Sequence, residues 1–447
     1  MTFHKVLIAN RGEIALRVIE ACRELSLDSV AVFSQADAGM HYLTLAGESL
    51  CIGPADPAKS YLSIPALISA AEATGAQAVH PGYGFLAEDP HFVEVCEEHG
   101  LVFIGPDRRV MELLGNKLAA REAVAALGVP VLPGEAVPED EEKLADTANR
   151  VGYPLLVKSV FGGGGRGMRL VKEPKGLKAA VLAASAESQA ACGDASLYLE
   201  RALENPRHIE VQIMADKGGR IVHLGERECS IQRRHQKLIE ETPALNLDES
   251  LRQGLYHAAL VAVRAIGYQN VGTVEFILDG RGDFHFIEMN ARIQVEHSVS
   301  EVICGLNLVK EQIRIASGDP LDMRQEDVEL KGHAIECRIN AEDPSRGFLP
   351  SCGKIKIDEL PSGNGIRIDT HIFNGMEVSP YYDSLLAKVI AWGRDREEAR
   401  IRMYTALERF RVRGVTTTRA LVQEIISHPA FREDRIGTDF LDEILAD

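Results

Sequence analysis

The first 110 residues alternate short apolar runs with stretches of helical spacing, and this alternation constrains the fold more than any other feature. Residues 6–9 form an apolar run, and residues 13–25 then place apolar side chains on one helical face. Residues 64–73 again have helical spacing and lead into the apolar run at 78–80. Strands that alternate with helices in this way form a parallel, doubly wound sheet. The sequence therefore predicts an α/β fold for this region.

Length and charge exclude several classes of protein. The chain has 447 residues, which predicts two or three domains, and its formal net charge of -17 argues against a nucleic-acid-binding protein. No apolar stretch approaches the roughly 20 residues that span a bilayer, and charges interrupt the N-terminus too early for a signal peptide. Eight scattered cysteines without a C-x-x-C pair are typical of reduced thiols. We expect a soluble, cytoplasmic protein that binds neither nucleic acid nor membrane.

Further along the chain, residues 117–127 have helical spacing, and the acidic residues 138–142 indicate the start of another helix. Residues 332–340 are strand-like. Another helix is predicted to begin after Asp395, a suitable N-cap because Glu398 follows three residues later. Its apolar face comprises Ala399, Met403, Ala406, Leu407 and Phe410.

A strand-like run that delivers Lys158 leads into a glycine-rich segment with four consecutive glycines at 162–165, followed by Arg166 and Gly167. Glycine lets backbone N–H groups approach an anion closely and allows a loop to open and close. No Gly-Lys-Ser/Thr follows at the required spacing, so this is not a Walker A loop. The alternative is a flexible surface hairpin, although each glycine would lose much entropy on ordering.

Two apolar strands flank a predicted turn at residues 279–282, and each strand contains one glutamate, Glu275 and Glu288. A four-residue turn places Glu275 opposite Phe286 and diagonal to Glu288, about 7–8 Å away on the same face. Two carboxylates at about 7 Å repel by about 2 kcal/mol at an effective dielectric of about 20. A divalent cation between them, with the Asn290 amide oxygen as a further hard ligand, suits magnesium. A solvated sheet face is the alternative.

The continuation of the second strand places polar residues at alternate positions. In an extended chain one face would carry Glu288, Asn290, Arg292, Gln294 and Glu296. This row offers metal ligands, a guanidinium group for an anion and a candidate base. A polar sheet face in contact with water is the alternative.

A basic segment at residues 226–237 gathers four Lys or Arg residues and His235 in an otherwise acidic protein. Such clustering indicates an anionic ligand. A surface cluster of salt bridges explains the same spacing equally well.

Together these segments resemble the ATP-grasp superfamily, and the specific strings resemble biotin carboxylases, the family of acetyl-CoA carboxylase subunits. The similarity covers nearly the whole chain, through IANRGEIALR, HPGYGFL, GGGGRGM, ENPRHIEVQ, RECSIQRRHQK, EMNARIQVEH, GHAIECRINAED and SPYYDSLLAK. It implies an ATP-grasp fold of the α/β (α+β) class with three domains. These are a Rossmann-like domain at 1–112, an ATP-grasp domain at 113–331 with a mobile lid at about 131–203, and a biotin carboxylase C-terminal domain at 332–447.

The resemblance also implies the ligands and the residues that hold them. ATP would be bound by Lys117, Lys158, Gly163, Gly164, Gly165, Glu200, Arg201, Leu203, His208, Gln232, His235, Glu275 and Glu288. Mg²⁺ or Mn²⁺ would be bound by Glu275 and Glu288 through the phosphates, with Asn290 on a second ion. Bicarbonate would be held by Lys237, Arg292, Gln294 and the backbone of Val295.

In the implied reaction, bicarbonate attacks the γ-phosphate of ATP to give carboxyphosphate, which releases carbon dioxide to the biotin nitrogen. Glu296 would be the general base, and Arg338 would stabilise the enolate-like ureido oxygen of biotin. Lys237 and Arg292 complete the catalytic set. For Glu296 to be a useful base, we expect burial to raise its pKa from about 4.3.

Five positions depart from the family pattern. They are Asn116 for Asp, Phe161 for a small residue, Arg201 for Lys, Ala291 for Thr and Ser298 for Pro. The residues implied to bind magnesium and bicarbonate are all retained. The departures therefore concern nucleotide affinity and lid motion more than the reaction.

No Met-Lys pair occurs in the sequence, so we expect biotin to arrive on a separate carrier protein. The resemblance further implies carboxyltransferase subunits and a homodimer. The complex it serves is that of acetyl-CoA carboxylase or, alternatively, a two-subunit pyruvate or other acyl carboxylase. An ATP-grasp ligase that joins another carboxylate to an amine, and a nucleotide-responsive regulatory protein, are the competing functions; the first has no need of Arg338.

Overall fold

The computed structural model describes residues 1–138, 140–162 and 168–446. Within these ranges three large sheets of five, eight and four strands form the framework, accompanied by small two-stranded sheets. Among the described residues, no helix combines the length and the apolar character needed to cross a bilayer.

The N-terminal region alternates strands and helices, as predicted. Its elements are β1 Lys5–Ile8, α1 Gly12–Glu24, β2 Asp28–Ser34, β3 Glu48–Gly53, α2 Ile64–Thr74, β4 Ala78–His80, α3 Pro90–Glu98, β5 Val102–Phe103 and α4 Arg108–Gly115. The strands form a parallel sheet in the order β3-β2-β1-β4-β5. Ile14 of α1 packs with Val6 on one face, and Leu67 of α2 packs with Leu7 on the other. The prediction of a doubly wound sheet is confirmed.

The next region contains a four-stranded antiparallel sheet with a small core of its own. Its elements are α5 Lys117–Ala125, β6 Gly134–Ala136, α6 Glu141–Val151, β7 Leu155–Ser159, β8 Arg169–Val171, α7 Leu177–Cys192 and β9 Leu197–Arg201. The strand order is β6-β9-β7-β8, and Leu144, Val157 and Leu199 lie in the core. The helix predicted at the acidic segment is confirmed, since Asp140 accepts a hydrogen bond from the Glu142 N–H at 3.0 Å.

Long antiparallel strands dominate the middle of the chain. The elements are β10 Arg207–Ala215, β11 Ile221–Arg233, β12 Gln236–Thr242, α8 Glu249–Ile266, β13 Asn270–Leu278, β14 Phe284–Asn290, α9 His297–Cys304 and α10 Leu308–Ala316.

The C-terminal region adds further strands and four helices. Its elements are β15 His333–Asn340, β16 Glu342–Asp343, β17 Leu349–Pro350, β18 Gly353–Lys354, β19 Lys356–Glu359, β20 Ile366–Thr370, β21 Glu377–Val378, β22 Leu385–Gly393, α11 Arg396–Arg409, β23 Arg411–Arg413, α12 Arg419–Ser427, α13 Pro429–Arg432 and α14 Phe440–Ala446. The predicted N-cap is confirmed, because Asp395 accepts from the Glu398 N–H at 2.9 Å. The predicted apolar face of α11 is also buried.

One eight-stranded sheet joins the middle and C-terminal regions in the order β14-β13-β10-β11-β12-β15-β22-β20. The junction is the antiparallel pair β12–β15, in which Ile239 lies opposite Cys337. This pair joins residues before the predicted domain limit at 331 to residues after it. That limit and the limit at 112 stay predictions. The continuous sheet gives the residues of both regions fixed relative positions.

Candidate active site

A cavity of 1630 Å³ opens between the parallel sheet, the four-stranded sheet and the eight-stranded sheet. Every predicted site residue within the described part of the chain lines it: Lys117, Lys158, Glu200, Arg201, Leu203, His208, Gln232, His235, Lys237, Glu275, Glu288, Asn290, Arg292, Gln294, Val295, Glu296 and Arg338. Gly163, Gly164 and Gly165, also predicted to bind ATP, lie outside the described residues. Side chains from separate motifs therefore converge on one place.

The four-stranded sheet contributes a buried ion-pair cluster to the cavity wall. Lys158 on β7 donates to Glu200 Oε1 on β9 at 2.7 Å, and Arg121 of α5 pairs with the same carboxylate. Burial alone would lower the pKa of Lys158, but the charge of Glu200 outweighs it and raises that pKa. The ammonium group also lies 5.5 Å from the ring centre of Tyr198. The cluster therefore presents a fixed cation to the cavity.

A second lysine reaches the cavity from the start of α5. Lys117 Nζ lies 2.9 Å from Glu288 Oε2. The preceding Asn116 caps the helix, since its side-chain oxygen accepts from the Ala119 N–H at 3.0 Å. The departure from Asp at this position therefore keeps the capping hydrogen bond that orients Lys117.

The hairpin β13–β14 pairs its two glutamates directly, so the predicted diagonal arrangement is wrong. Residues 279–283 separate the paired ends of the strands, and the register shifts again between Glu275 and Phe276. The prediction assumed a shorter turn and a regular ladder, and a β-bulge gives no clear signal in this sequence. Glu275 now lies opposite Glu288. Direct neighbours on one face lie closer together than diagonal ones, so the two carboxylates meet at the cavity.

Glu275 is surrounded by hydrogen-bond donors. Its Oε1 accepts from Lys237 at 3.1 Å, from Gln294 at 2.6 Å and from Asn290 at 2.8 Å. His208 Nε2 lies 2.9 Å from the other oxygen. Burial would raise its pKa, but the charge of Lys237 and the contact with His208 hold that pKa well below the ordinary value. Glu275 is therefore an anion that Lys237 and neutral amide donors stabilise.

The donor set fits a magnesium ion. Glu275 and Glu288 are hard oxygen ligands on one sheet face, and the pKa of Glu288 is also low because Lys117 outweighs its burial. Asn290 adds an amide group, oriented by the bond to Glu275 and by a 3.0 Å bond from Arg292 to its oxygen. Two ionised carboxylates at the edge of a large cavity are what a cation bound with nucleotide phosphates requires.

Lys237 links the metal-binding side of the cavity to the candidate base. Its ammonium group donates to Glu210 at 2.5 Å, to Glu275 at 3.1 Å and to Glu296 at 2.6 Å. Burial would lower the pKa of Lys237, but the three carboxylates raise it well above the ordinary value. The lysine therefore stays charged and holds the two glutamates of the site at fixed positions.

The segment after β14 is not extended, so the predicted alternating face is wrong. The strand ends at Asn290, a loop follows, and α9 begins at His297 with Glu296 as its N-cap residue. Arg292 turns toward Glu88, with 3.3 Å between Nε and the carboxylate. Alternating polarity alone does not distinguish a strand from a loop whose polar side chains all reach one cavity. The predicted residues nevertheless line the same cavity.

Glu296 is buried, but its pKa is lowered instead of raised, which corrects our expectation. Burial alone would raise the pKa, as anticipated. Lys237, Arg338 and Arg227 outweigh burial and stabilise the anion. The sequence could not show how many cations surround this carboxylate. Glu296 is thus fully ionised at neutral pH.

Arg338 on β15 lies between two carboxylates. Its Nε donates to Glu240 Oε1 at 2.6 Å, and its Nη2 donates to Glu296 Oε2 at 2.8 Å. Glu240 is fully buried behind it, whereas Glu296 is at the cavity wall. This guanidinium group is therefore fixed from behind and in contact with the candidate base.

Sequence reasoning missed Glu210, and it included Arg227 only as one of the basic residues at 226–237 without a role in the site. Both side chains are buried beside the site residues. Arg227 is fully buried and donates to Glu210 at 2.6 Å, to Gln212 at 2.6 Å and to Gln294 at 2.7 Å. A signal was present in residues 208–212, where polar side chains alternate along a strand. Ligand atoms of His208, Glu210 and Glu275 lie within 4.8 Å of one another, so this cluster could also hold a cation.

Part of the basic segment at 226–237 forms salt bridges and part lines the cavity, so each of its two interpretations holds for some residues. Arg227 belongs to the buried ion-pair cluster, whereas Gln232, His235 and Lys237 line the cavity. Arg233 also lines the cavity and lies 4.1 Å from the ring centre of Phe348.

Ser298, which stands where the family has proline, makes contacts that proline cannot. Its hydroxyl donates to Asp369 at 2.7 Å and accepts from Lys388 at 2.9 Å. Lys388 also donates to the Val295 carbonyl at 2.9 Å. This departure therefore ties the first turn of α9 to strands β20 and β22.

The other departures lie around the cavity. Arg201 packs against Gly152, whose φ of 85° disfavours residues that carry a side chain. The Ala291 N–H donates to Glu88 at 3.3 Å. The Phe161 carbonyl accepts from the Ser159 hydroxyl at 2.6 Å. Nothing in these contacts explains why phenylalanine replaces a small residue.

Three family models match successive parts of the chain. Residues 2–111 match the biotin carboxylase N-terminal domain, and residues 116–324 match the carbamoyl-phosphate synthase L chain ATP-binding domain. Residues 336–443 match the biotin carboxylase C-terminal domain.

Individual relatives match over the full length. A biotin carboxylase from Pseudomonas aeruginosa is 50% identical over 443 residues, covering 99% of this chain and 98% of that protein. A pyruvate carboxylase subunit from Methanothermobacter thermautotrophicus is 48% identical, covering 99% of this chain and 90% of that protein. The biotin carboxylase domain dimer of Hydrogenobacter thermophilus 2-oxoglutarate carboxylase, solved with MgADP, ADP and bicarbonate, has a TM-score of 0.96 and 45% identity over 100% and 99% of the chains.

Proposed function

Because the chain belongs to the biotin carboxylase family of ATP-dependent ligases, we propose that it carboxylates biotin with bicarbonate and ATP. One observation carries the proposal. A continuous series of ion pairs runs from Glu275 through Lys237 to Glu296 and Arg338. It joins the residues suited to a metal–nucleotide complex to those suited to bicarbonate and biotin, at one end of a shared cavity.

At the nucleotide end, the lysines hold phosphate oxygens. Lys117 and Lys158 are cations on the cavity wall, each now paired with a glutamate. Mg²⁺ or Mn²⁺ held by Glu275, Glu288 and Asn290 supplies charge neutralisation for phosphoryl transfer. The remaining ATP contacts in this proposal are Glu200, Arg201, Leu203, His208, Gln232, His235 and the glycines at 163–165.

At the bicarbonate end, Arg292, Gln294, Lys237 and the Val295 backbone hold the anion, and Glu296 takes its proton. The low pKa of Glu296 makes it a weak base while Lys237 and Arg338 both contact it. When bicarbonate contacts Lys237 and biotin contacts Arg338, each of these two cations also interacts with a substrate. Lys237 and Arg338 then stabilise the Glu296 anion less, so the pKa of Glu296 rises when both substrates are bound.

Arg338 stabilises negative charge on the ureido oxygen of biotin. The deprotonated bicarbonate attacks the γ-phosphate and ADP leaves, which gives carboxyphosphate. This intermediate breaks down to carbon dioxide and phosphate, the phosphate takes the N–H proton of biotin, and the biotin nitrogen takes up the carbon dioxide. A fixed guanidinium that needs no reorganisation is effective for such charge stabilisation. Closure of the lid over the cavity would exclude water from the labile intermediate.

We further propose that the biotin is carried by a separate biotin carboxyl carrier protein and that carboxyltransferase subunits use the product. The chain would act as a homodimer in the cytoplasm, within acetyl-CoA carboxylase and fatty-acid synthesis. A second candidate is the corresponding subunit of a pyruvate or other acyl carboxylase, which the similarity to a pyruvate carboxylase subunit favours. Assays that measure carboxyl transfer with each purified carboxyltransferase would distinguish the two candidates.

ATP hydrolysis with Mg²⁺ and bicarbonate, measured with and without free biotin, tests the proposed reaction. Biotin should increase turnover. ATP hydrolysis that biotin does not increase but an amine does would identify a different ATP-grasp ligase. Tight nucleotide binding without turnover would identify a regulatory protein.

A further inference from the structure

Two buried glutamates lie side by side behind Arg338. Glu240 on β12 and Glu336 on β15 are direct neighbours in the antiparallel ladder, and neither is exposed to solvent. Direct cross-strand neighbours have Cβ atoms about 4.5–5.5 Å apart, so the two carboxyl groups share one environment. Two ionised carboxylates in a buried site need compensating cations.

The cations on this sheet face form their hydrogen bonds and ion pairs with groups other than Glu336. Arg338, two residues beyond Glu336, is shared between Glu240 and Glu296. Lys388 lies opposite Arg338 on β22 and donates to the Val295 carbonyl and to a serine hydroxyl. It also lies 3.4 Å from Glu13 and 3.4 Å from Asp369, the next acid along the face.

Glu336 itself has no hydrogen-bond partner among the described residues, at either carboxyl oxygen. The second oxygen of Glu240 is likewise without a partner. Helix α9 covers this face with Val299 and Ile303, which pack on Ala334 and Ile390 beside Glu336. An apolar cover excludes the water that would stabilise a second anion.

The titratable groups of α9 do not compensate Glu336. His297 is fully buried, its Nδ1 lies 2.7 Å from the Gln294 carbonyl, and burial holds its pKa well below the ordinary value, so it is neutral. Glu301 pairs with Arg17 and Arg367. Helices α11 and α12 pack on the opposite face, in the core that contains Ile335 and Cys337.

The protonation equilibria agree with this geometry. Burial raises the pKa of Glu240 to about 7, against the opposing charge of Arg338. Burial also raises the pKa of Glu336 well above the ordinary value, against the opposing charge of Lys388, and the nearby charge of Glu240 adds to the effect.

We propose that Glu336 is a positioning residue for Arg338: it remains a neutral carboxylic acid beside the ionised Glu240. Arg338 then has a single negative charge behind it, Glu240, and one, Glu296, at the cavity. Loss of the Glu336 proton to solvent at alkaline pH adds a second anion behind the guanidinium group and draws it away from the cavity. This inference rests on the proposed role of Arg338 in binding biotin.

Kinetics with free biotin test the proposal. In the wild-type protein kcat/KM for biotin should fall at alkaline pH. Glu336→Gln should keep activity at neutral pH within about twofold and should lose this alkaline fall, because the amide cannot ionise. Glu311→Gln is the matched control: Glu311 is another buried glutamate with a raised pKa, far from the cavity, and its substitution should leave the profile unchanged.

A tenfold loss of activity in Glu336→Gln at neutral pH, or a persistent alkaline fall, would overturn the proposal. So would a wild-type profile without that fall.

Infrared spectroscopy provides a readout that needs neither turnover nor a folded variant. The wild-type protein should retain a carboxylic-acid C=O band above the pH at which Glu228, with its pKa raised by burial to about 7, has ionised. Where Glu336→Gln folds, that band should be missing from its spectrum. Absence of such a band from wild-type protein would overturn the inference on Glu336 and leave the proposed reaction untouched. Absence of biotin-stimulated turnover with the band present would overturn the proposed function instead.

Discussion

Arg338 is the side chain whose geometry most directly connects structure to biotin use. It is fixed by Glu240 and contacts Glu296, but it makes no contact with the residues proposed to bind metal. Arg338→Ala should therefore reduce carboxylation of biotin by about a hundredfold or more, as expected when a charge-stabilising donor is lost, while ATP affinity stays near that of the wild type. Steady-state kinetics and nucleotide titration measure the two effects.

Arg394→Ala is a suitable control for this prediction, since the Arg394 side chain is 82% exposed and pairs only with nearby Glu398. It should leave both parameters unchanged. If Arg338→Ala carboxylates biotin as fast as the wild type, Arg338 does not stabilise the ureido oxygen of biotin.

Glu228 gives a prediction for pH and stability. Burial raises its pKa from 4.5 to about 7, although Arg207 opposes the shift. A raised pKa means that the folded protein binds the proton more tightly, so this contribution is complete below about pH 4.5 and is lost as pH rises through about 7. Relative to Glu228→Gln, the wild type should lose roughly 3 kcal/mol of stability over this window.

Thermal melting of the wild type and Glu228→Gln at several pH values measures this difference. A melting-temperature difference that is independent of pH would contradict the assignment. Glu249→Gln, on an exposed helix start, is the control: because it keeps Glu228, its stability should fall with rising pH as that of the wild type does.

At the scale of elements, apolar patterns predicted the strands and helices well, but they could not predict how the strands pair. The parallel sheet, the helix start in the acidic segment 138–142 and the cap at Asp395 depend on local sequence, and they are confirmed. The bulge beside Glu275 and the loop after Asn290 depend on packing against other elements. For the same reason the cations around Glu296 were not predictable, since they come from strands distant in sequence.

The first turn of α9 offers a prediction at this scale. Ser298 bridges Asp369 and Lys388, both buried. Ser298→Ala would leave those charges with one partner fewer and should destabilise the protein by about 1–3 kcal/mol. Ser427→Ala, which removes a hydroxyl from an exposed helix end, should change the melting temperature little. Equal melting temperatures for the two variants would show that the bridge contributes nothing.

At the scale of the whole molecule, the cavity lies between one continuous sheet and a smaller unit with its own core. The eight-stranded sheet carries both the glutamates proposed to bind metal and Arg338, whereas Lys158 and Glu200 belong to the four-stranded sheet. Movement of the smaller unit would therefore leave the geometry of the reacting end undisturbed. The resemblance to the family predicts a mobile lid in this region, while the local pattern alone predicts only a glycine-rich loop.

Hydrogen exchange tests this view. Mg²⁺ with a non-hydrolysable ATP analogue should slow exchange in β6–β9 and leave the N-terminal parallel sheet unchanged, because bound phosphates connect Lys158 to the fixed sheet. Lys158→Met should abolish the slowing, whereas Lys143→Met, a change on the exposed face of α6, should not. Equal protection across all sheets would contradict a separate mobile unit.

Transfer of labelled carbon from bicarbonate to free biotin, followed as Mg²⁺ is titrated, is the decisive measurement. Labelled carboxybiotin should form only with ATP and Mg²⁺ present, and Glu275→Gln combined with Glu288→Gln should reduce it by about a hundredfold or more. Label transfer at the wild-type rate in the double variant, or ATP hydrolysis by wild-type protein with no label in biotin, would contradict a reaction centred on these two glutamates.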